Sequence, residues 1–246
     1  MKEKNSREEL IDTKVENLEV NEEVLEENKE KLKETKEERK ARIKVGVKNL
    51  VKETNNKFLK IIEIYNYLNK HGKEYLRVLR NEGTPKFIIQ HYENGEWVKG
   101  LGDYPKVPYN LPNLIKAKEN NKSVVFIVSG EKDADTINNA DSRFLATTAI
   151  TNSASKWDYN FNEYISKDTK VIILQDDSEF GQKFAEKTKQ TLIYGHKSCI
   201  FEIKELKKIL GIEDSAVTDI TDVKGRISNE EFIDILESLE ESALGK

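Results

Sequence analysis

The chain has 246 residues, 41 of them basic and 45 acidic, for a formal net charge of −4. Its hydrophobic share is 37% and its charged share 35%, so it is long enough for a sizeable core and polar enough to leave segments outside it. No run of about 18 apolar residues occurs, which excludes a helical membrane span, and the single cysteine, Cys199, excludes a disulfide framework or a cysteine-built zinc ribbon. The nearly balanced charge leaves no global footprint for nucleic acid, so any basic surface must be local. MKEKNSREEL lacks the apolar stretch of a secretory signal, and the expectation is a soluble, cytoplasmic protein.

Residues 1–57 read as a charged helical arm. The first 30 residues hold five basic and eleven acidic side chains, whereas residues 31–58 hold ten basic and four acidic ones. Ile11, Leu18, Leu25 and Leu32 recur every seven residues, one apolar stripe where a coiled coil needs two positions per heptad. Two readings stay open, a solvated tail and a helix for homo-oligomer formation or partner docking. The basic stretch with Arg39, Lys40 and Arg42 suits phosphate contact and equally suits a solvated face.

Residues 58–118 read as a β-hairpin-rich subdomain. FLKIIEIYNYL and EYLRVLRN flank Asn69-Lys70-His71-Gly72, and KFIIQHY and EWVKGL flank Glu93-Asn94-Gly95, both turn sequences. The aromatics Tyr65, Tyr67, Tyr75, Phe87, Tyr92 and Trp97 fit a core at alternating positions; stacking on bases is the other reading. YNLPNLIKAKENN follows as a helix opened by proline.

Residues 119–226 then alternate. Strands are expected at Ser123–Val128, Phe144–Thr147, Lys170–Leu174 and Lys197–Ile203, with helices from about Asp133, around Tyr159–Ile165 and over Phe180–Leu192. VVFIV and KVIIL are continuous β-branched runs, as strands buried on both faces are. The fold class is therefore α/β with a parallel sheet flanked by helices. Residues 227–246 form a last amphipathic helix, capped by Ser228 with Glu231, whose Leu236 and Leu239 dock on the sheet.

Chemistry in such a sheet gathers beyond the carboxyl ends of its strands. Ser129-Gly130-Glu131-Lys132-Asp133 follows one strand and Gln175-Asp176-Asp177-Ser178 follows another. Carboxylates converging there suit Mg²⁺, with Asp133, Asp176 and Asp177 as ligands. The bland alternative makes Asp133 and Asp176 helix caps. No phosphate loop ending in Gly-Lys-Ser/Thr is present, so no helicase motor is expected.

From about Lys60 to Gly225 the sequence resembles the TOPRIM region of phage and plasmid DNA primases. The resemblance rests on YNYLNKHGKEYLRVLR, KFIIQHYENGEWVKGL, YNLPNLI, VVFIVSGEKDAD, ATTAITNSASKW, KVIILQDDSEFGQKFAE and TDITD in that order. It implies a four-stranded parallel core, Mg²⁺-dependent nucleotidyl transfer or strand cleavage, and DNA or RNA as partner. It also places the family's first glutamate at Ser129 and its second paired aspartate at Ser178, while Asp133 and Asp176 match. A serine cannot act as a carboxylate base at neutral pH and binds Mg²⁺ weakly. Lys156 and Lys183 match positions where the family suits phosphate contact, although a surface lysine satisfies both.

Two functions follow. One is a catalytically degenerate TOPRIM primase-like protein that binds nucleic acid or a replication or host-defence partner. The alternative is a Mg²⁺-dependent nucleotidyl transferase or nuclease with displaced ligands, drawing on Glu131, Asp133, Asp176 and Asp177.

Overall fold

A computed structural model of the chain describes residues 60–150, 157–193 and 195–245. The apolar stripe of the arm, Arg39, Lys40, Arg42 and Lys156 lie outside the described residues. All described residues except 94–96 belong to one compact unit.

The first sheet contains β1 (Ile61–Leu68), β2 (Glu74–Asn81), β3 (Phe87–Glu93) and β4 (Glu96–Lys99) in that order, with β1–β2 and β2–β3 antiparallel. Both turns behave as their residues dictate. Gly72 has φ 75°, and the Asn69 side chain accepts from the amides of His71 and Lys73. Asn94 and Gly95 have φ 49° and 93°, the paired positive angles of a two-residue hairpin turn. Tyr65, Tyr67 and Tyr75 are buried. With Leu76 and Val78, the tyrosines pack against Val107, Leu111 and Ile150, and Tyr109 meets the rings of Tyr65 and Tyr67. The core reading of these three aromatics is correct.

Helix α1 (Leu111–Glu119) carries Pro112 in its first turn and leads to the second sheet. There β5 (Val124–Ile127), β6 (Ala146–Thr147), β7 (Lys170–Gln175) and β8 (Lys197–Glu202) lie in the order β6-β5-β7-β8, all parallel. This is the four-stranded parallel core that the resemblance implies. Alternation along the strands explains the unbroken apolar runs. Val124, Phe126, Ile172 and Leu174 point to one face, where they meet Ala134, Ile137, Ile220, Val223, Phe232 and Leu236. Ile127, Val171 and Ile173 point to the other, against Trp157, Phe161, Phe184 and Leu192. Residues of both faces are removed from water, so neither strand needs polar positions.

The boundaries differ from expectation in several places. Helix α2 spans Glu131–Asn138 and starts two residues before Asp133, directly after Gly130. The strand expected at Phe144–Thr147 keeps only two residues, and Tyr159–Tyr164 is a 3₁₀-helix. Helix α3 spans Glu179–Leu192. The run expected to continue β8 through Ile203 instead breaks at Glu202. Ile203 opens helix α4 (Ile203–Leu210), which the strand reading missed. Ile203, Leu206 and Leu210 place one apolar stripe on the core, and Gly211 closes the helix at φ 66°. A short helix α5 (Ile220–Lys224) precedes α6 (Asn229–Leu244). Ser228 and Glu231 form the expected reciprocal cap, with Leu236 buried and Leu239 partly buried against the sheet core.

Candidate functional site

The carboxyl ends of β5 and β7 open onto a cavity of about 420 Å³. Glu131, Asp133, Asp176 and Asp219 supply its acidic wall, with Ser129 between them. Arg80 and Lys86 from the hairpin sheet and Lys132 from α2 supply positive charge, and Tyr65, Phe87 and Phe180 supply rings.

Each acidic side chain is fixed by a particular local structure. Asp133 sits in the first turn of α2 and is buried; its Oδ1 accepts from the hydroxyl of Thr221 at 2.6 Å and from the Thr221 amide at 3.3 Å. Asp176 follows β7 directly, and its Oδ2 accepts from the Ser129 hydroxyl. Gly181 permits this placement, because a Cβ there would stand 2.6 Å from the Asp176 Cβ and from its carbonyl oxygen. Glu131 is buried and accepts from the Tyr67 hydroxyl at 2.8 Å, which ties the hairpin sheet to α2. Asp219 caps α5 by accepting from the Asp222 amide at 2.7 Å.

Neither Asp133 nor Asp176 is a helix cap. Gly130 precedes α2 with no side-chain cap, and α3 is capped by Ser178, whose hydroxyl accepts from the Gly181 amide at 3.0 Å. Asp177 turns away from the cavity. It pairs with the buried ammonium of Lys207 at 2.9 Å, and that same Nζ donates to the Val217 carbonyl at 2.8 Å. Asp177 and Lys207 thereby anchor the loop that carries Asp219. Lys183 lies on the solvent side of α3 in an ion pair with Glu179. Of the acids singled out from sequence, Glu131, Asp133 and Asp176 meet in one cavity and Asp177 does not join them.

Asp219 was within the TDITD segment but was not recognised as a partner of the other acids. Its signal was an Asp-x-x-Asp spacing, which reads first as a helix start. Arg80, Lys86 and Lys132 were missed because they converge only after the hairpin sheet folds over the strand ends.

Crowding and burial shift these carboxylates together. Burial, reinforced by the charges of Asp219 and Asp176, pushes Asp133 up to about 8, against the opposing Thr221 hydrogen bonds. Burial also raises Asp176 to about 6; the Ser129 hydroxyl opposes that rise and the charges of Asp219 and Asp222 add to it. Burial raises Asp219 as well. Near neutral pH the cavity therefore holds a proton on Asp133 and carries less negative charge than its residue types suggest.

The donor set does not fit a Mg²⁺ site. Mg²⁺ demands near-octahedral oxygen ligation with carboxylates available to it. Here an oxygen of Asp176 and one of Asp133 are engaged by hydroxyls of the chain. Among the described residues no group of three or more His, Cys, Asp or Glu side chains is arranged to hold a metal ion.

The architecture is α/β: a helix-flanked parallel sheet preceded by an antiparallel hairpin sheet. Several solved structures are similar over part of their length. A DNA primase domain from Pseudomonas aeruginosa aligns at 12% identity and TM-score 0.43, covering 56% of this chain and 42% of that one. The E. coli primase catalytic core aligns at 16% identity and TM-score 0.42, covering 56% and 43%. A DnaG primase catalytic domain bound to ssDNA aligns at 16% identity and TM-score 0.41, covering 56% and 44%. The chain thus spans less than half the length of each. No family model and no curated protein matches the sequence. No helix among the described residues is long and apolar enough to cross a membrane.

Proposed function

We propose that the chain is a primase-like TOPRIM protein that holds a single nucleic-acid strand in this cleft and does not perform Mg²⁺-dependent nucleotidyl transfer. It would serve a phage or plasmid as a replication or host-defence component, working with a protein partner. One observation carries the reading. The cavity combines carboxylates that accept from hydroxyls, one of them keeping its proton near neutral pH, with three basic side chains and the exposed ring of Phe180. Arg80, Lys86 and Lys132 suit phosphates, and Phe180, 44% exposed, offers a face on which a base can stack. Arg80 is ion-paired with Glu63, which accepts from its Nη1 at 3.0 Å.

A second reading, nucleotidyl transfer or strand cleavage with displaced acids, has one observation in its favour. Asp219 adds a further carboxylate, close enough for its charge to raise both Asp133 and Asp176. The serines at 129 and 178 weigh against it.

Fluorescence anisotropy of a labelled oligothymidine separates the two. Binding is expected to persist in EDTA. An Arg80→Gln/Lys86→Gln variant should lose about tenfold in affinity and lower the salt slope by roughly 1.4, about 0.7 for each phosphate contact. Binding that needs Mg²⁺, or that ignores the double substitution, would contradict the proposal.

A further inference from the structure

A second concavity lies at the opposite end of the parallel sheet, where the loops lead into β7 and β8. Its volume is about 720 Å³, within the range of pockets for small ligands. Lys118 at the end of α1, Lys167 before β7 and His196 before β8 line it together with Asn160, Ser166 and Tyr159. Each strand of six residues spans roughly 20 Å, so this concavity is separate from the carboxylate cleft.

Its electrostatics are one-sided. Lys118 is held in place by donating from Nζ to the Glu163 carbonyl at 2.6 Å. The charges of Lys167 and Lys118 both reach the His196 ring, which is half-buried, and among the described residues neither lysine has a carboxylate within ion-pair distance. The lone acid in the wall, Glu163, is engaged by the Tyr164 hydroxyl. Burial, with the two lysine charges, holds His196 below its usual value, while the carbonyls of Ser166 and Asn162 pull the other way. Lys118 and Lys167, converging beside His196 without an ion-pair partner among the described residues, form an arrangement that an anion stabilises. Tyr159 stands at the rim with 61% of its surface exposed, a ring available for stacking beside that anion.

We infer that this concavity binds a phosphate group carried by a nucleobase-bearing ligand, the phosphate between Lys118, Lys167 and His196 and the base against Tyr159. The ligand is either a free nucleoside monophosphate or the phosphorylated end of a strand. The site is independent of the carboxylate cleft, and its failure would leave the reading of that cleft untouched.

The test uses the full chain and three probes: adenosine monophosphate, a 5′-phosphorylated oligothymidine and the same oligonucleotide with a 5′-hydroxyl. Affinities are read by calorimetry, and the His196 ring is followed by NMR across pH. A phosphate ligand should raise the His196 pKa, and Lys167→Gln should weaken phosphate-dependent binding about tenfold, the loss of one charge-assisted contact. Lys167 is exposed, so this variant keeps the fold where a His196 substitution can perturb packing. Monophosphate binding sensitive to Lys167→Gln identifies the free nucleotide; preference for the phosphorylated oligonucleotide over its hydroxyl counterpart identifies the strand end. Equal binding of both oligonucleotides, no monophosphate binding and an unmoved His196 would overturn the inference.

Discussion

At the scale of single residues, the protonation of Asp133 and the hydroxyl beside Asp176 set what the cleft can do. Asp133 ordinarily ionises near 3.8 but is pushed up to about 8 by burial and by its acidic neighbours. A carboxyl whose folded value is raised binds its proton more tightly in the native state. Its contribution to stability is fully present below about 4 and is lost as pH rises through about 8. Replacing Asp133 by Asn keeps an oxygen to accept from Thr221 and removes the ionisation. Urea unfolding at pH 9 should therefore show Asp133→Asn more stable than the natural protein by about 1–3 kcal/mol, with little difference at pH 4. An unchanged pH dependence would mean that Asp133 is not the group that titrates. Ser129 acts on the same balance from just beyond β5, since its hydroxyl is the contact that favours ionised Asp176.

At the scale of elements, the strand-to-helix turn after β7 gives Ser178 its role. Its hydroxyl caps α3, a role that serine and aspartate fill about equally well. Ser178→Ala should cost about 1 kcal/mol in thermal or urea unfolding and Ser178→Asp close to nothing; a large cost for the aspartate would refute the capping role. Gly181, one turn on, leaves no room for a side chain against Asp176. Gly181→Ala should destabilise the protein by about 1–3 kcal/mol through overpacking, although alanine is the better helix former. The same turn shows how far sequence reasoning reaches. VVFIV and KVIIL announce a sheet buried on both faces, and Asn94-Gly95 announces its hairpin, because those signals are local. Ile203 misled because an apolar residue after KSCIFE extends a strand pattern as readily as it opens a helix. Asp177 and Asp176 are adjacent in sequence, yet one faces Lys207 and the other the cavity, a division set by the strand end and α4 rather than by composition. The meeting of Asp219 with Asp133 is long-range, and nothing in the spacing of the chain encodes it.

At the scale of the whole molecule, the hairpin sheet and the parallel sheet together make the cleft. Tyr67 reaches from β1 to Glu131, and the tyrosines of β1 pack on Tyr109, so Arg80 and Lys86 are brought over the strand ends by a packed interface. Charge at the cleft then depends on pH. Ionisation of Asp133 through about 8 adds a negative charge beside the proposed strand, so anisotropy titrations should show affinity falling between pH 7 and pH 9. Asp133→Asn should abolish that fall, and an affinity indifferent to pH in the natural protein would contradict the proposed path of the strand. The central claim is that this cleft binds without catalysing. Primer synthesis and plasmid nicking with Mg²⁺ or Mn²⁺ test it most directly, run on the natural protein, on Ser129→Glu/Ser178→Asp and on Asp176→Ala. The account predicts silence from the natural protein together with retained oligonucleotide binding, and any gained activity confined to the variant that restores both acids. Synthesis or nicking by the natural protein that Asp176→Ala abolishes would contradict it.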